Sequence, residues 1–379
     1  MKGTAKVRRA RHLVSYWTEE GIVITNYAMR KAVIADALVH HVLSLCTDWT
    51  TIKALGQQLQ GVPPRAVNAL ATSMVEQHLL VQAGDRAERR ERVFGAWNDW
   101  NPTAGLFHFS TKDVAPPVNR ERAEHAMRAE AKAGRLPTPI KRYPGATSLA
   151  LPSPRIDGEF PRVLLDRRTW RSFGTSALTL ADVSTLLNLT WGVQKTAQSP
   201  GLGQVFLKTS PSSGARQPLE SYLLAVAVEG LEPGLYHYRA DQHVLELIRR
   251  GATGRTIGRY IPGQWWYDSA SALFLMTAVF GRTQWRYRFP RAYRSVLFEA
   301  GHACQTFCLA ATWLGLAPFC TGRFADSFVE RQLKIDGVTE SFVYGAGVGC
   351  RPEGVTWAPW PTDASATHPL MRRATSDSE

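Results

Sequence analysis

The sequence predicts an α+β fold shared among two or three domains, and three observations carry that reading. The 379 residues exceed one ordinary domain and fit two or three of about 150 residues each. A hydrophobic content of 44% is enough to bury a large core, which excludes a chain disordered throughout. Helix-period and strand-period segments follow one another without a regular βαβ repeat, which excludes a plain doubly wound sheet.

The first segment is residues 1–84. Ile34, Ala37, Leu38, His41, Val42 and Leu45 recur at helical spacing. Asp48 and Thr50 or Thr51 offer caps for a short helix through Leu59. Pro63-Pro64 opens a third helix with an apolar stripe of Val67, Leu70, Ala71, Met74 and Val75. His78 to Gln82 reads as a strand, and three helices with a small β-wing look like a winged-helix module.

Residues 85–150 are expected to be a connector that wraps the neighbouring domain or protomer. The segment is rich in arginine at its start, then carries Trp97, Trp100, Phe107, His108 and Phe109, a charged helical run from Arg120 to Arg135, and prolines at 137, 139 and 144. Flexible linkers rarely hold so many aromatics.

Residues 151–360 form the largest segment, followed by a flexible tail at 361–379. Leu180 to Trp191 is helical with Thr179 as cap; Tyr222 to Val228 and Ala272 to Phe280 are buried strands. Gly234 to Arg239 and His243 to Ile248 read as a hairpin around Ala240-Asp241. Ala292 to Leu314 is a long helix ending at Gly315. Ala325 to Leu333 is a further helix and Phe342 to Val348 the last strand.

Lys plus Arg outnumber Asp plus Glu by 45 to 32, a net +13. That charge suits an anionic partner: nucleic acid, a phosphorylated cofactor or an acidic peptide. Residues Met1 to Arg11 are basic, but no apolar run follows them, so no secretion signal is legible. With five cysteines, an odd number, this places the chain in a reducing cytoplasm. The uncharged stretch 300–322 has the length of a membrane span, but contains His302, Gln305, Thr306, Thr312, Gly315 and Pro318. It is expected to be a helix buried in a core or a dimer interface rather than in a bilayer.

Four clusters could carry chemistry. Arg167, Arg168, Thr169, Arg171 and Ser172 put three guanidiniums and two hydroxyls within six positions, which can surround a phosphate or form a solvated surface patch. Pro211-Ser212-Ser213-Gly214-Ala215 can let backbone approach a flat ligand or be an ordinary turn. Cys320-Thr321-Gly322-Arg323 follows the long helix, and Tyr344 to Arg351 ends the last strand with glycines that could border a ring or a phosphate. The latter is not a dinucleotide fingerprint, because no helix follows it. Cys304 and Cys308 share a helix face, but two ligands do not close a zinc site, and Cys46, Cys320 and Cys350 show no spacing pattern. No metal site is expected.

Taken in order, these elements resemble the nitroreductase-like flavoproteins, and more closely the SagB-type dehydrogenases that include the azoline oxidases of ribosomal peptide biosynthesis. The resemblance rests on Arg167-Arg168-Thr169-x-Arg171-x-Phe173, the Pro211 to Ala215 loop with Glu220, the Gly234 hairpin, Arg291 to Arg294, and Glu299, His302 and Gln305. Phe107 to Asp113 also looks like the lead-in of such proteins. It implies an interlocked homodimer with a central mixed or antiparallel sheet flanked by helices, binding FMN. Arg167, Arg168, Thr169 and Arg171 would hold phosphate and ribityl chain, with Arg351 as a second phosphate partner. Pro211, Ser212 and Ser213 would line the isoalloxazine, with Gly322 on its other side.

One departure from that family stands out. Arg286 occupies the place where the azoline oxidases carry a lysine before Tyr287. An arginine cannot serve as a general base, though its charge can stabilise a phenolate or an enolate-like anion. Tyr287 becomes the expected base, unless both side chains only pack the pocket rim. The third helix of the first segment has Arg65 as its only permanently charged basic residue, which argues against a nucleic-acid recognition helix. The same topology serves elsewhere as a peptide-recognition module, so a precursor peptide or a cyclodehydratase is the expected partner.

Overall fold

The computed structural model describes residues 3–113, 120–134, 141, 149, 151–200 and 203–355. The prolines at 137, 139 and 144 and the tail at 361–379 lie outside the described residues.

The amino-terminal part contains β1 (Lys6–Arg9), β2 (Leu13–Thr18), β3 (Gly21–Asn26), β4 (Lys31–Ala35), α1 (Ala37–Leu45), β5 (Thr50–Thr51), α2 (Ile52–Gln58), α3 (Pro64–Glu76) and β6 (Leu80–Gln82). One sheet runs β5-β1-β6 and a second β2-β3-β4. The Asp36 carboxylate accepts the Val39 amide at 2.9 Å to start α1, and the Thr51 hydroxyl accepts the Ala54 amide at 3.1 Å to start α2. Val42, Leu55, Val67, Ala71 and Met74 from the helices meet Val7, Ile24 and Leu80 from the strands in one core. Ile34, expected on the first helix, sits instead in β4 and is 59% exposed. It precedes the Asp36 cap, and a capped helix cannot reach back past its cap. The meander β2-β3-β4 lacks clean alternation, although Val14, Tyr16, Trp17, Ile22, Val23 and Ile24 favour strands, because β2 buries none of its residues and leaves Tyr16 and Trp17 in the open.

The expected connector contains α4 (Arg86–Phe94), α5 (Thr103–Ser110) and α6 (Arg120–Lys132), and its 86–109 part is built into the core of its own chain. Phe94, Trp97, Trp100 and Phe109 are buried against Tyr27, Phe280 and Tyr293. The Trp97 indole donates to the Val338 carbonyl at 2.8 Å and the Trp100 indole to the Tyr287 carbonyl at 3.0 Å. His108 lies between the Tyr293 hydroxyl at 2.8 Å and Ser341 Oγ at 3.0 Å. Its burial pushes it well below the usual imidazole value of 6.5, with the Lys112 charge adding to the effect. The Lys112 ammonium donates to both oxygens of buried Glu330, at 2.6 and 2.7 Å, and Ser341 and the Phe342 amide also donate to that carboxylate.

The remainder contains α7 (Glu159–Asp166), α8 (Leu180–Trp191), the hairpin β7 (Lys195–Ser199) and β8 (Gly203–Leu207), then β9 (Leu219–Ala225), β10 (Gly234–Arg239), β11 (Val244–Arg250), α9 (Gly254–Tyr260), β12 (Ala272–Val279), α10 (Phe280–Gln284), α11 (Tyr293–Trp313), β13 (Ala317–Thr321), α12 (Asp326–Leu333) and β14 (Glu340–Gly349). Six strands pair antiparallel in the order β11-β10-β9-β12-β14-β13. The period of two in β12 sends Phe274 and Met276 to one face and Leu273 and Leu275 to the other. Val183 and Leu187 of α8 and Phe307 of α11 cover the first face, and Ile257 of α9 and Val329 of α12 cover the second. The result is the expected α+β architecture. Within the uncharged run after Glu299, Ala303, Phe307 and Ala311 of α11 are buried, while His302, Gln305 and Trp313 stay exposed. Among the described residues no helix is long and apolar enough to cross a membrane.

Breaking one half of the buried ion pair should be costly. Lys112→Met is expected to lower unfolding free energy by about 3–5 kcal/mol by leaving Glu330 buried without its cation. The double variant Lys112→Met, Glu330→Leu should recover much of that loss, as read by urea denaturation.

Candidate functional site

The arginine cluster begins where α7 ends. From Arg167 the chain runs extended beside the edge of the large sheet, with the Trp170 amide donating to the Pro318 carbonyl at 2.9 Å and the Gly174 amide to the Cys350 carbonyl at 2.9 Å. Phe173 packs on Gly349, where an added Cβ would lie 2.8 Å from its ring. Trp170 is 2% exposed, and the Arg351 guanidinium stands 5.3 Å from its ring centre. Arg351 donates to the Leu316 carbonyl at 3.1 Å and to the Thr312 carbonyl at 3.4 Å, at the carboxyl end of α11. Arg351 thus stands against Trp170, in the middle of the segment that carries Arg167, Arg168, Thr169 and Arg171. Arg168 turns one nitrogen back to the Leu165 and Arg167 carbonyls, both at 2.7 Å.

Gly322 follows β13. It is exposed, and a Cβ added there would meet nothing within 4 Å. Next to it the Arg323 Nε is buried with no hydrogen-bond partner among the described residues. Open space, an orphaned donor and several guanidiniums suit a flat ligand with an anionic tail.

The second group of site residues is the loop before β9. Gly214 has φ +61°, followed by positive φ at Ala215 and Gln217. Such strain persists only where surrounding contacts fix it. The Gln217 amide donates to Ser212 Oγ at 2.9 Å, and Ser210 bonds Thr306 of α11 at 2.8 Å. Tyr287 and Arg286 lie directly on the loop: a Cβ on Gly214 would come within 2.7 Å of the Tyr287 hydroxyl and 2.8 Å of Arg286 Cδ. Arg216 donates to the Gly214 carbonyl at 3.0 Å and covers the Trp285 ring. Pro211, Ser212 and Ser213 therefore share one neighbourhood with Arg286 and Tyr287.

Ionisable groups back this loop. Glu299 of α11 is 6% exposed, and burial pushes its carboxyl up to about 7 against the opposing effects of Ser212 and Lys208. Burial also lowers the Lys208 ammonium from its usual value. A cavity of about 510 Å³ holds Lys208, Arg216, Glu220, His237 and Arg282. His237 bridges Glu220 at 3.1 Å and Glu246 at 3.0 Å, and its pKa rises chiefly through the Glu220 bond.

An apolar groove of about 400 Å³ runs along α11, lined by Val163 of α7, Thr209, Thr306 and Trp313.

Residues 164–350 match the model of the nitroreductase family. A Methanocaldococcus jannaschii protein named for the same family, MJ1384, is 33% identical over 173 residues, covering 46% of this chain and 83% of that one. The chain belongs to the nitroreductase family. The trifolitoxin-processing protein TfxB of Rhizobium leguminosarum is 33% identical over 169 residues, or 43% of this chain. This chain spans only 45% of that protein's length. The solved Escherichia coli microcin synthetase McbBCD complex is similar at 20% identity and TM-score 0.45, over 68% of this chain and 93% of that one. Nitroreductase-family members bind FMN, and a Desulfovibrio desulfuricans relative was solved with it.

Within this nitroreductase domain, aromatic rings fill the space beside the β14 glycines Gly345 and Gly347. Cβ atoms at Gly345 and Gly347 would come within 2.3 Å of Phe324 and Phe319. They are glycines because aromatic rings pack flat on the strand, and those rings come from segments that sequence spacing does not link to it. Trp170 and Arg323 were missed as site residues. Trp170 sits inside the arginine cluster, and that position was the signal for it. Arg323 sits beside Gly322 and shows its role only through burial. Sequence spacing gives no pattern for Cys320; β13 brings it to Cys304 and Cys308.

Two outcomes are expected. Gly214→Ala should lose more than the roughly 1 kcal/mol of ordinary left-handed strain, because its methyl also displaces Tyr287 and Arg286; thermal melting reads this. Glu299 holds its proton in the folded chain between the usual 4.5 and about 7, where the unfolded chain releases it. Stability should therefore fall as pH rises through that window, by up to about 1.4 kcal/mol per pH unit. Glu299→Gln should flatten the decline in pH-dependent denaturation curves.

Proposed function

We propose that this nitroreductase-family chain is an FMN-dependent dehydrogenase acting on a ribosomally made peptide, oxidising thiazoline or oxazoline rings to thiazoles or oxazoles. The observation that carries the reading is the packing of Tyr287 and Arg286 on Gly214 of the 211–217 loop. A base and a fixed positive charge then share one edge with the loop expected to line the isoalloxazine. The similarity to a protein named for trifolitoxin processing supports a peptide substrate.

FMN, when bound, supplies the two-electron acceptor, and dioxygen restores it. Arg167, Thr169, Arg171 and Arg351 would hold its phosphate and ribityl chain, with Arg168 completing the cluster. Gly322 leaves room on one face, and Pro211, Ser212 and Ser213 are the candidates for the other. Tyr287 would act as its phenolate, which the neighbouring Arg286 charge stabilises, and take the Cα proton of the ring to become the neutral phenol; Arg286 also stabilises the charge that builds on the substrate. The Trp100 indole, bonded to the Tyr287 carbonyl at 3.0 Å, fixes the backbone from which that hydroxyl projects. A homodimer with FMN at the interface of two copies is the assembly that the family resemblance implies. The basic amino-terminal part, 1–84, would hold the peptide or a cyclodehydratase in the cytoplasm.

A second reading has an observation of its own. Arg286 replaces the lysine of the azoline oxidases, which favours desaturation of a Cα–N or Cα–Cβ bond of the peptide at the same site. Both reactions remove two hydrogens, so fragmentation or NMR of the product separates them.

Tyr287→Phe is expected to retain FMN and lose roughly 100-fold or more in turnover, measured by mass loss on the peptide. Unchanged turnover with FMN retained would remove Tyr287 as the base.

A further inference from the structure

Cys304, Cys308 and Cys320 play no part in the chemistry above, yet their three Sγ atoms lie within 4.8 Å of one another. Cys304 and Cys308 are four apart on α11 and share the face turned to the sheet, where they are 2% and 4% exposed. Cys320 is the fourth residue of β13, which runs back along α11 after the turn at Gly315. All three thiols are free.

We infer that these cysteines form a three-thiolate site for a thiophilic divalent ion of the zinc class. Sulfurs that share such an ion at about 2.3 Å stand about 4 Å apart, so the observed cluster needs only small side-chain adjustments to close on one. Its surroundings also choose the charge of the ion. Three thiolates around a monovalent ion leave two negative charges, and around a divalent ion one. The Arg167 guanidinium acts electrostatically on both Cys308 and Cys320, so the smaller net charge of −1 is the one this positive surrounding suits better. Cys320 is more open than the other two, which leaves the fourth position of a tetrahedral ion to water on that side. Binding releases the thiol protons and involves no oxidation or reduction.

The site ties the middle of α11 to β13, and β13 leads directly into Thr321 and Gly322. An ion there would hold the strand end that borders the ligand space and would place a fixed charge beside Arg167. The inference stands whether or not the substrate is a peptide, because it uses only the cysteines and their neighbours.

The test is a Zn²⁺ titration of the full-length chain, purified with reductant and chelator, against a competing metal indicator. Co²⁺ serves as the spectroscopic probe, because thiolate ligation gives ultraviolet charge-transfer absorption. One equivalent of Zn²⁺ is expected, with protection of three thiols from a thiol reagent. Cys304→Ser and Cys320→Ser should each weaken binding by roughly 100-fold or more, while Cys350→Ser should bind as the parent does. Thiol protection in the parent chain decides the matter even where a serine variant fails to fold. Absence of zinc uptake by the parent, uptake unchanged in folded Cys304→Ser and Cys320→Ser, or a disulfide among the three found by mass would each overturn the inference.

Discussion

The site hangs on the close approach of Tyr287 and Arg286 to Gly214. Gly214 must be glycine on two counts: its φ is +61°, and any Cβ would strike both side chains. The contact fixes where the strained loop lies and where the phenol points. The Trp100 indole holds Tyr287 from behind, so a residue nearly 190 positions earlier sets the geometry of the candidate base. That is why the 85–113 segment belongs to the site's architecture even though it reads as a connector.

The helix α11 is the second constraint. Its buried face covers the large sheet, its middle carries Glu299 and the cysteines, Thr306 receives the loop, and its carboxyl end receives Arg351. Positions on one rigid helix keep a spacing of about 1.5 Å per residue, so the Ser210 contact at Thr306 and the Arg351 contact at Thr312 keep a fixed separation along α11. The Lys112–Glu330 pair, with Ser341 and His108, locks the connector onto β14 and α12 from the other side of the molecule.

Much of this was legible in the sequence, for identifiable reasons. Helices α3, α8 and α11 and strand β12 are long, strongly patterned and deeply buried, so periodicity alone marks them. The arginine cluster and the Pro211 loop are local in sequence and stay local in space. What escaped depended on partners far along the chain. Strands β2 to β4 are half-exposed ribbons without clean alternation. The glycines of β14 look like ligand glycines until Phe319, Phe324 and Phe173 arrive from elsewhere. Cys320 completes a cluster only because β13 doubles back along α11.

The account turns on whether this nitroreductase domain takes FMN at the arginine cluster. The direct measurement is an absorption spectrum of the purified chain after addition of FMN and removal of the excess, with the released cofactor identified by mass. Flavin bands, an FMN mass and about one equivalent per chain are predicted, with the equivalent lost in an Arg167→Ala, Arg171→Ala variant that still folds. A folded, colourless chain that does not retain added FMN would contradict the account at its centre.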